Sequence, residues 1–395
     1  MNNEAFVPKI PYGTRDLLPR DANRKRNIEA SFSKLFAGWG YDEVVTPTFE
    51  YLETLTVGSS GDLQNNMFKF LDKNNRILAL RPDMTTPIVR VAATRLRENT
   101  LPLKIFYLTN VFRYEEAQAG RQCEFYQAGV ELLGRSEATA DAEVIALAIE
   151  AMLEAGLTNF QVSLGQVEFI NGIMNEYQLT SAQRQAVKQA LVNRDLVGLG
   201  EILSNSGLCP AAQKLLKQVP VLHGREDMLS QSYSMITNET SRKALDNLSE
   251  IYSILKNYGV GKYVNFDLGI IRNFEYYTGM VFEGYTPGLG FPLCGGGRYD
   301  RMAGSFGADW PATGFALGIE RIMLAMERQG IAMSPDSKDI YIGWSEGMLK
   351  EAIAYAEEQR RGGKIVELAL IPQSQAEAAS MQVSKGYGKL VYIGD

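Results

Sequence analysis

The pattern of this chain changes character twice, and those changes limit its possible folds more than any single residue does. Residues 167–257 read as several helices in series, one opening on a Thr180…Gln183 capping box and another running through Ser241–Leu255. Strand-forming sequence is scarce there. It stands instead on both sides: Tyr41–Thr46, Leu101–Tyr114 and Glu124–Leu133 before the block, Val264–Leu268 and Met280–Tyr285 after it. The arrangement is a helical insertion between two sheet-forming blocks, which places the fold in the α+β class.

Helices flank these strands. Residues 21–38 put Ile28, Phe32, Leu35 and Phe36 on one face, with Asp21 as the expected cap and Gly40 as the stop. Asp141–Glu154 is expected to be strongly amphipathic, with Val144, Leu147, Ala148 and Ala151 facing inward. Another helix is expected from near Gly314 to Arg328. Beyond a linker at Ser334–Ser337 the order is strand (Asp339–Trp344), helix (Gly347–Arg361), strand (Lys364–Leu370), helix (Gln375–Ser384), strand (Leu390–Ile393). That alternation predicts a small βαβαβ domain with parallel strands. The expected division is a core at 1–328, containing the insertion, and a C-terminal α/β domain at 338–395.

Several chemistries are excluded early. The single histidine, His223, leaves no catalytic triad and no His-rich metal site. Cys123, Cys209 and Cys294 lie far apart without metal-ligand spacing, so no metal is expected and a reducing cytoplasm fits. No apolar run approaches the ~20 residues of a membrane span. The net charge of −6 argues weakly against a polyanion-coating chain.

The chemistry gathers between Phe112 and Glu131. With period two, Phe125, Gln127, Gly129 and Glu131 share one strand face: an aromatic, an amide, a gap and a carboxylate. Such a face suits an amino-bearing or imidazole ligand, because Gln127 and Glu131 offer acceptors and Gly129 leaves room. A solvated sheet face is the competing reading. Arg113 ends the preceding strand, where its planar fork suits a carboxylate or phosphate unless it is merely a surface arginine. Arg121, in the turn between the strands, could swing over whatever Arg113 holds. Asp83 stands where a helix starts and either caps it or meets a ligand. Arg272-Asn273-Phe274-Glu275-Tyr276-Tyr277 places an arginine and two tyrosines before a strand, a setting for enclosing a flat heterocycle.

In order along residues 11–328, these segments resemble histidyl-tRNA synthetases of class II. Pro11–Pro19 (PYGTRDLLP) is similar to their N-terminal signature, Gly40–Pro47 to motif 1, Phe112–Glu131 to motif 2 and Gly314–Arg321 (GFALGIER) to motif 3. Arg272–Gly279 and Gly295–Asp300 resemble segments peculiar to the histidine enzymes. The resemblance implies a class II antiparallel sheet flanked by helices, a dimer through the motif 1 region, and a histidine pocket. In that pocket Asp83, Thr85 and Gln127 would face the α-amino group, Glu131, Tyr276 and Tyr277 the imidazole, and Arg272 the carboxylate. Arg113 and Arg321 match the family's two nucleotide-binding arginines, and Arg121 would join Arg321 as a residual nucleotide contact.

Departures from the pattern point away from aminoacylation. Glu116 and Cys123 stand where the family carries cations, and Glu124 adds an anion, which weakens triphosphate binding by like-charge repulsion. Asp83 is one methylene shorter than the usual glutamate, and the C-terminal block is shorter than an anticodon-binding domain. The combination resembles the regulatory subunits of ATP phosphoribosyltransferase. That resemblance implies a subunit with no catalytic residues and no cofactor, which docks on the short catalytic subunit. Histidine would be a feedback effector, and tRNA binding is not expected. An active histidyl-tRNA synthetase with a reduced tail is the alternative.

Overall fold

The protein is described from a computed structural model covering residues 9–57, 61–114, 122–270, 277–331 and 338–394. It forms two compact units, Met1–Ile331 and Ala332–Asp395. The expected segments at 115–121 and 271–276, with Arg121, Arg272 and Tyr276, lie outside the described residues.

Among the described residues the first unit has twelve strands. In chain order they are β1 (Asp42–Glu43), β2 (Phe49–Tyr51), β3 (Lys69–Leu71), β4 (Ile77–Leu80), β5 (Leu103–Phe112), β6 (Glu124–Leu133), β7 (Gln161–Gln166), β8 (His223–Gly224), β9 (Val264–Asp267), β10 (Met280–Tyr285), β11 (Cys294–Arg298) and β12 (Ala312–Gly318). Nine of them form one mainly antiparallel sheet in the order β1-β5-β6-β12-β11-β10-β7-β9-β8, and β2-β4-β3 form a small antiparallel sheet beside it. The block at 167–257 follows β7 and is helical apart from the short edge strand β8, and the chain then returns to the sheet at β9. An insertion here preserves the sheet because β7 and β9 are parallel neighbours, a pairing that requires a long crossover.

One face of the sheet is the core. Phe106, Val130, Phe315 and Phe282 line up across β5, β6, β12 and β10, because residues opposite in register share a face. Phe36, on the helix Pro19–Gly38, meets Phe106 and Phe315 edge-on at centroid distances of 5.7 and 6.0 Å. Each such ring, fully buried, contributes ~1.5–3 kcal/mol. The helix Ala138–Glu154 packs on the same face. It is buried nearly all round rather than along one stripe, because a second helix, Glu239–Asn257, covers its outer side.

Three local expectations change. The first helix starts at Pro19 with Leu18 as its cap residue, so Asp21 lies within the first turn instead of capping it. The strand expected at Tyr41–Thr46 shrinks to Asp42–Glu43, paired in parallel with β5. Gly314 does not begin a helix. Ala312–Gly318 is strand β12, inserted between β6 and β11, and the helix runs only from Ile319 to Arg328.

The second unit has three parallel strands in the order β14-β13-β15: β13 (Lys338–Trp344), β14 (Val366–Leu368) and β15 (Tyr387–Ile393). Helices Leu349–Arg361 and Gln375–Lys385 connect them. Ser374 and Glu377 form a reciprocal capping box on the second helix. Trp344, Ile342 and Tyr341 centre the core of this unit.

Candidate ligand pocket on the bare face of the sheet

The opposite face of the large sheet is stripped of side chains where the chemistry collects. Register places Gly318, Ala316 and Gly314 beside Gln127, Gly129 and Glu131, and Gly297 and Gly295 beyond them on β11. Two of these glycines are required by close approach. A Cβ at Gly314 would collide with Glu131 Oε2, and one at Gly129 with the Tyr107 hydroxyl. Along Gly314–Gly318 small residues alternate with Phe315 and Leu317, so the strand turns its bulk to the core and a bare floor to the pocket.

Glu131 lies at the deep end of this floor, 1% exposed. The Tyr299 hydroxyl donates to its Oε2, and the Thr85 side chain also bonds to it. Burial pushes its carboxyl up to about 8, against the pull of those hydrogen bonds, and nearby Asp83 raises it further. Asp83 precedes the helix Thr85–Thr94. Its carboxylate accepts from the backbone N–H groups of Thr86 and Thr85 and faces Arg113. Burial nevertheless holds it above the usual aspartate range. Asp83 thus serves the helix start from the position before its cap residue, Met84.

Arg113 is fixed at the mouth. Its Nε donates to the Pro82 carbonyl at 2.7 Å, and its guanidinium lies 5.5 Å from the centre of the Phe125 ring. The loop it grips is held from behind by Arg81, 3% exposed, which donates to the carbonyls of Thr46, Pro47 and Asn110 and to the side chains of Thr109 and Asn110. Tyr277 lays its ring over Gly297, whose added Cβ would come within 2.9 Å of it. Gln127 supplies the most telling atom. Its Oε1 is buried with no hydrogen-bond donor among the described residues, although buried acceptors are nearly always paired.

Asp83, Thr85, Arg113, Glu131 and Tyr277 thus gather at one end of this sheet face, and Gln127 lies further along the same face. Tyr107 and Tyr299 join them and were not singled out from sequence. Burial raises the Tyr107 hydroxyl well above its ordinary range, with Glu131, Asp83 and Tyr277 adding to the effect. Arg321 lies at the other end of this floor, where a Cβ on Gly318 would come within 3.1 Å of its Cδ; it donates to the Pro292 carbonyl at 2.8 Å, with its guanidinium 5.1 Å from the Phe291 ring centre. The two altered motif 2 positions within the described residues are also occupied. Cys123 is buried beneath Gly13, and Glu124 accepts from Asn110 Nδ2 at 2.7 Å.

The fold and pocket define a protein of the histidyl-tRNA synthetase type. The family model described as histidyl-tRNA synthetase matches residues 13–322. Curated relatives narrow this. The chain is 42% identical to an ATP phosphoribosyltransferase regulatory subunit of Desulforamulus reducens, covering 100% of this chain and 97% of that protein. It is 41% identical to one of Moorella thermoacetica, covering 98% of each. A crystal structure of an ATP phosphoribosyltransferase regulatory subunit/histidyl-tRNA synthetase from Bacillus halodurans superposes with a TM-score of 0.88 at 35% identity, covering 99% of this chain and 100% of that one. The chain belongs to the family of ATP phosphoribosyltransferase regulatory subunits.

Proposed function

We propose that the chain assembles with the short catalytic subunit of ATP phosphoribosyltransferase, activates it, and carries the histidine that signals feedback in the first step of histidine biosynthesis. The observation that carries the ligand reading is the buried Gln127 Oε1, without a donor among the described residues, on the same strand face as the buried Glu131. An ammonium satisfies Gln127 and Asp83, and an imidazole N–H satisfies Glu131. Arg272 and Tyr276 belong to the proposed pocket on the strength of the motif alone. Histidine that inhibits the complex must bind its inactive state more tightly than its active one.

A dimer through the motif 1 region belongs to the same proposal. Val45, at the end of that segment, is 84% exposed, and the neighbouring small sheet presents Phe49 and Phe70, in edge-on contact with each other, to solvent. A second copy covering this apolar face would remove it from water.

Mixing the purified chain with the short catalytic subunit tests the assembly. Co-elution and a gain in phosphoribosyl transfer are expected; unchanged elution and unchanged activity would contradict it. The alternative, aminoacylation with a reduced tail, requires histidine-dependent exchange of pyrophosphate into ATP by the chain alone. No exchange is expected.

A further inference from the structure

The deepest group of the pocket is a carboxyl met by two hydroxyls, that of Tyr299, from the residue after β11, and that of Thr85, at the start of the helix Thr85–Thr94. Asp83, from the loop before that helix, and Tyr107, from strand β5, act on it through charge, and Tyr277, from the segment before β10, lies near Tyr107. Arg113 faces Asp83 and Tyr107, and Tyr41 lies on the far side of the sheet. Gly314 gives the carboxyl its room, and no solvent reaches it beyond the 1% exposure. An ionised carboxylate in such a place needs a cation or several donors.

We propose that Glu131 and the imidazole of bound histidine hold a single proton between them, so that the pocket accepts histidine only when the pair carries one proton in total. This rests on the histidine reading above and specifies the protonation state it requires. Below the titration of the imidazole, near ~6.5, both partners carry a proton and one must leave before the ligand docks. Glu131 titrates at about 8, raised chiefly by burial. Above that value the carboxyl is ionised and the imidazole keeps only the single N–H of its neutral form, so the shared proton, counted beyond that N–H, must be taken up from water. Affinity therefore falls about tenfold per pH unit on either side of the window. Within the window the proton passes from Glu131 to the imidazole or stays between them, with none exchanged with solvent. Tyr299 is a positioning residue here. Its hydroxyl occupies Oε2 and favours the ionised carboxyl, which keeps the upper edge of the window from moving higher.

Titration calorimetry of the full chain with L-histidine, from about pH 5.5 to about pH 9 in buffers of different ionisation enthalpy, reads both affinity and protons exchanged. The wild type should show a bell, releasing a proton on the acid side and taking one up on the alkaline side. Glu131→Gln has no carboxyl to titrate and should lose the alkaline limb that belongs to Glu131. The amino group of the ligand titrates identically in both proteins and cancels in the comparison. Tyr299→Phe should move the alkaline limb to higher pH. Superimposable alkaline limbs in wild type and Glu131→Gln would overturn the shared proton. Should Glu131→Gln fail to fold, an unmoved limb in Tyr299→Phe overturns it equally. Absence of histidine binding to the wild type at every pH would instead overturn the histidine reading itself.

Discussion

Arg298 and Tyr299 are adjacent in the chain and put to opposite uses. Arg298 points to the core face, where Nη2 and Nε donate to both oxygens of Asp141 at 2.9 and 3.1 Å, and Nη1 to Asp300 and the Arg135 carbonyl. Every charge there has its partner. Tyr299 points to the other face and meets Glu131, and on that face the Gln127 side-chain oxygen has no donor among the described residues. Burial is equal on the two sides, 6% and 2% exposure. Satisfaction differs. A buried polar group whose partners are complete holds the fold together, whereas one left with spare acceptors is prepared for something that arrives later.

Substitutions on the two sides should therefore separate stability from binding. The largest effect is expected at Arg298→Met, which strands Asp141 in the core and should cost about 3–5 kcal/mol in urea unfolding. A loss below ~1 kcal/mol would erase the distinction. Gly314→Ala comes next: its methyl must displace Glu131, so histidine affinity should fall by more than about tenfold, with ~1–3 kcal/mol of strain in the fold. Gln127→Ala should weaken histidine by about 1–3 kcal/mol while leaving unfolding almost unmoved, because its oxygen has no partner to lose among the described residues. Equal losses of binding and stability would make Gln127 a structural residue.

A pH series sharpens the same contrast. Glu131 has its folded pKa raised to about 8 from an ordinary 4.5, so the folded state holds a proton that the unfolded chain releases. Its contribution to stability is present below the unfolded value and is lost as pH rises from about 4.5 to about 8. Unfolding of Glu131→Gln should lack that part of the decline. The smallest effect is expected in the second unit, where Ser374→Ala removes a helix cap worth about 0.5–2 kcal/mol without touching histidine affinity.

Much of this was legible in the sequence, where local pattern suffices. Period two on Phe125–Glu131 gave the correct face for Gln127 and Glu131, and β6 runs over Glu124–Leu133 as expected. The C-terminal elements fall within a few residues of expectation because each is set by its own helix or strand pattern; β14 is shorter, ending before the exposed Leu370. The cap misplaced at Asp21 is a local failure, since Pro19 already opens the helix; the larger failures are non-local. Gly314–Gly318 runs straight into an amphipathic helix, and only pairing with β6, far back in the chain, makes it a strand. Tyr107 and Tyr299 look like core aromatics until register sets one over Gly129 and the β11 exit sets the other against Glu131. Arg81 gives no sign in sequence of bridging Thr46–Pro47 to the pocket loop.

The central claim is that this pocket carries feedback. Its most direct test is the phosphoribosyl-transfer rate of the catalytic subunit, with wild-type chain or with Gln127→Ala, as histidine is raised. The account predicts that both complexes are active without histidine and that only the wild-type complex is inhibited over the wild-type concentration range. Equal inhibition of the two would place the feedback site elsewhere and leave this pocket a relic.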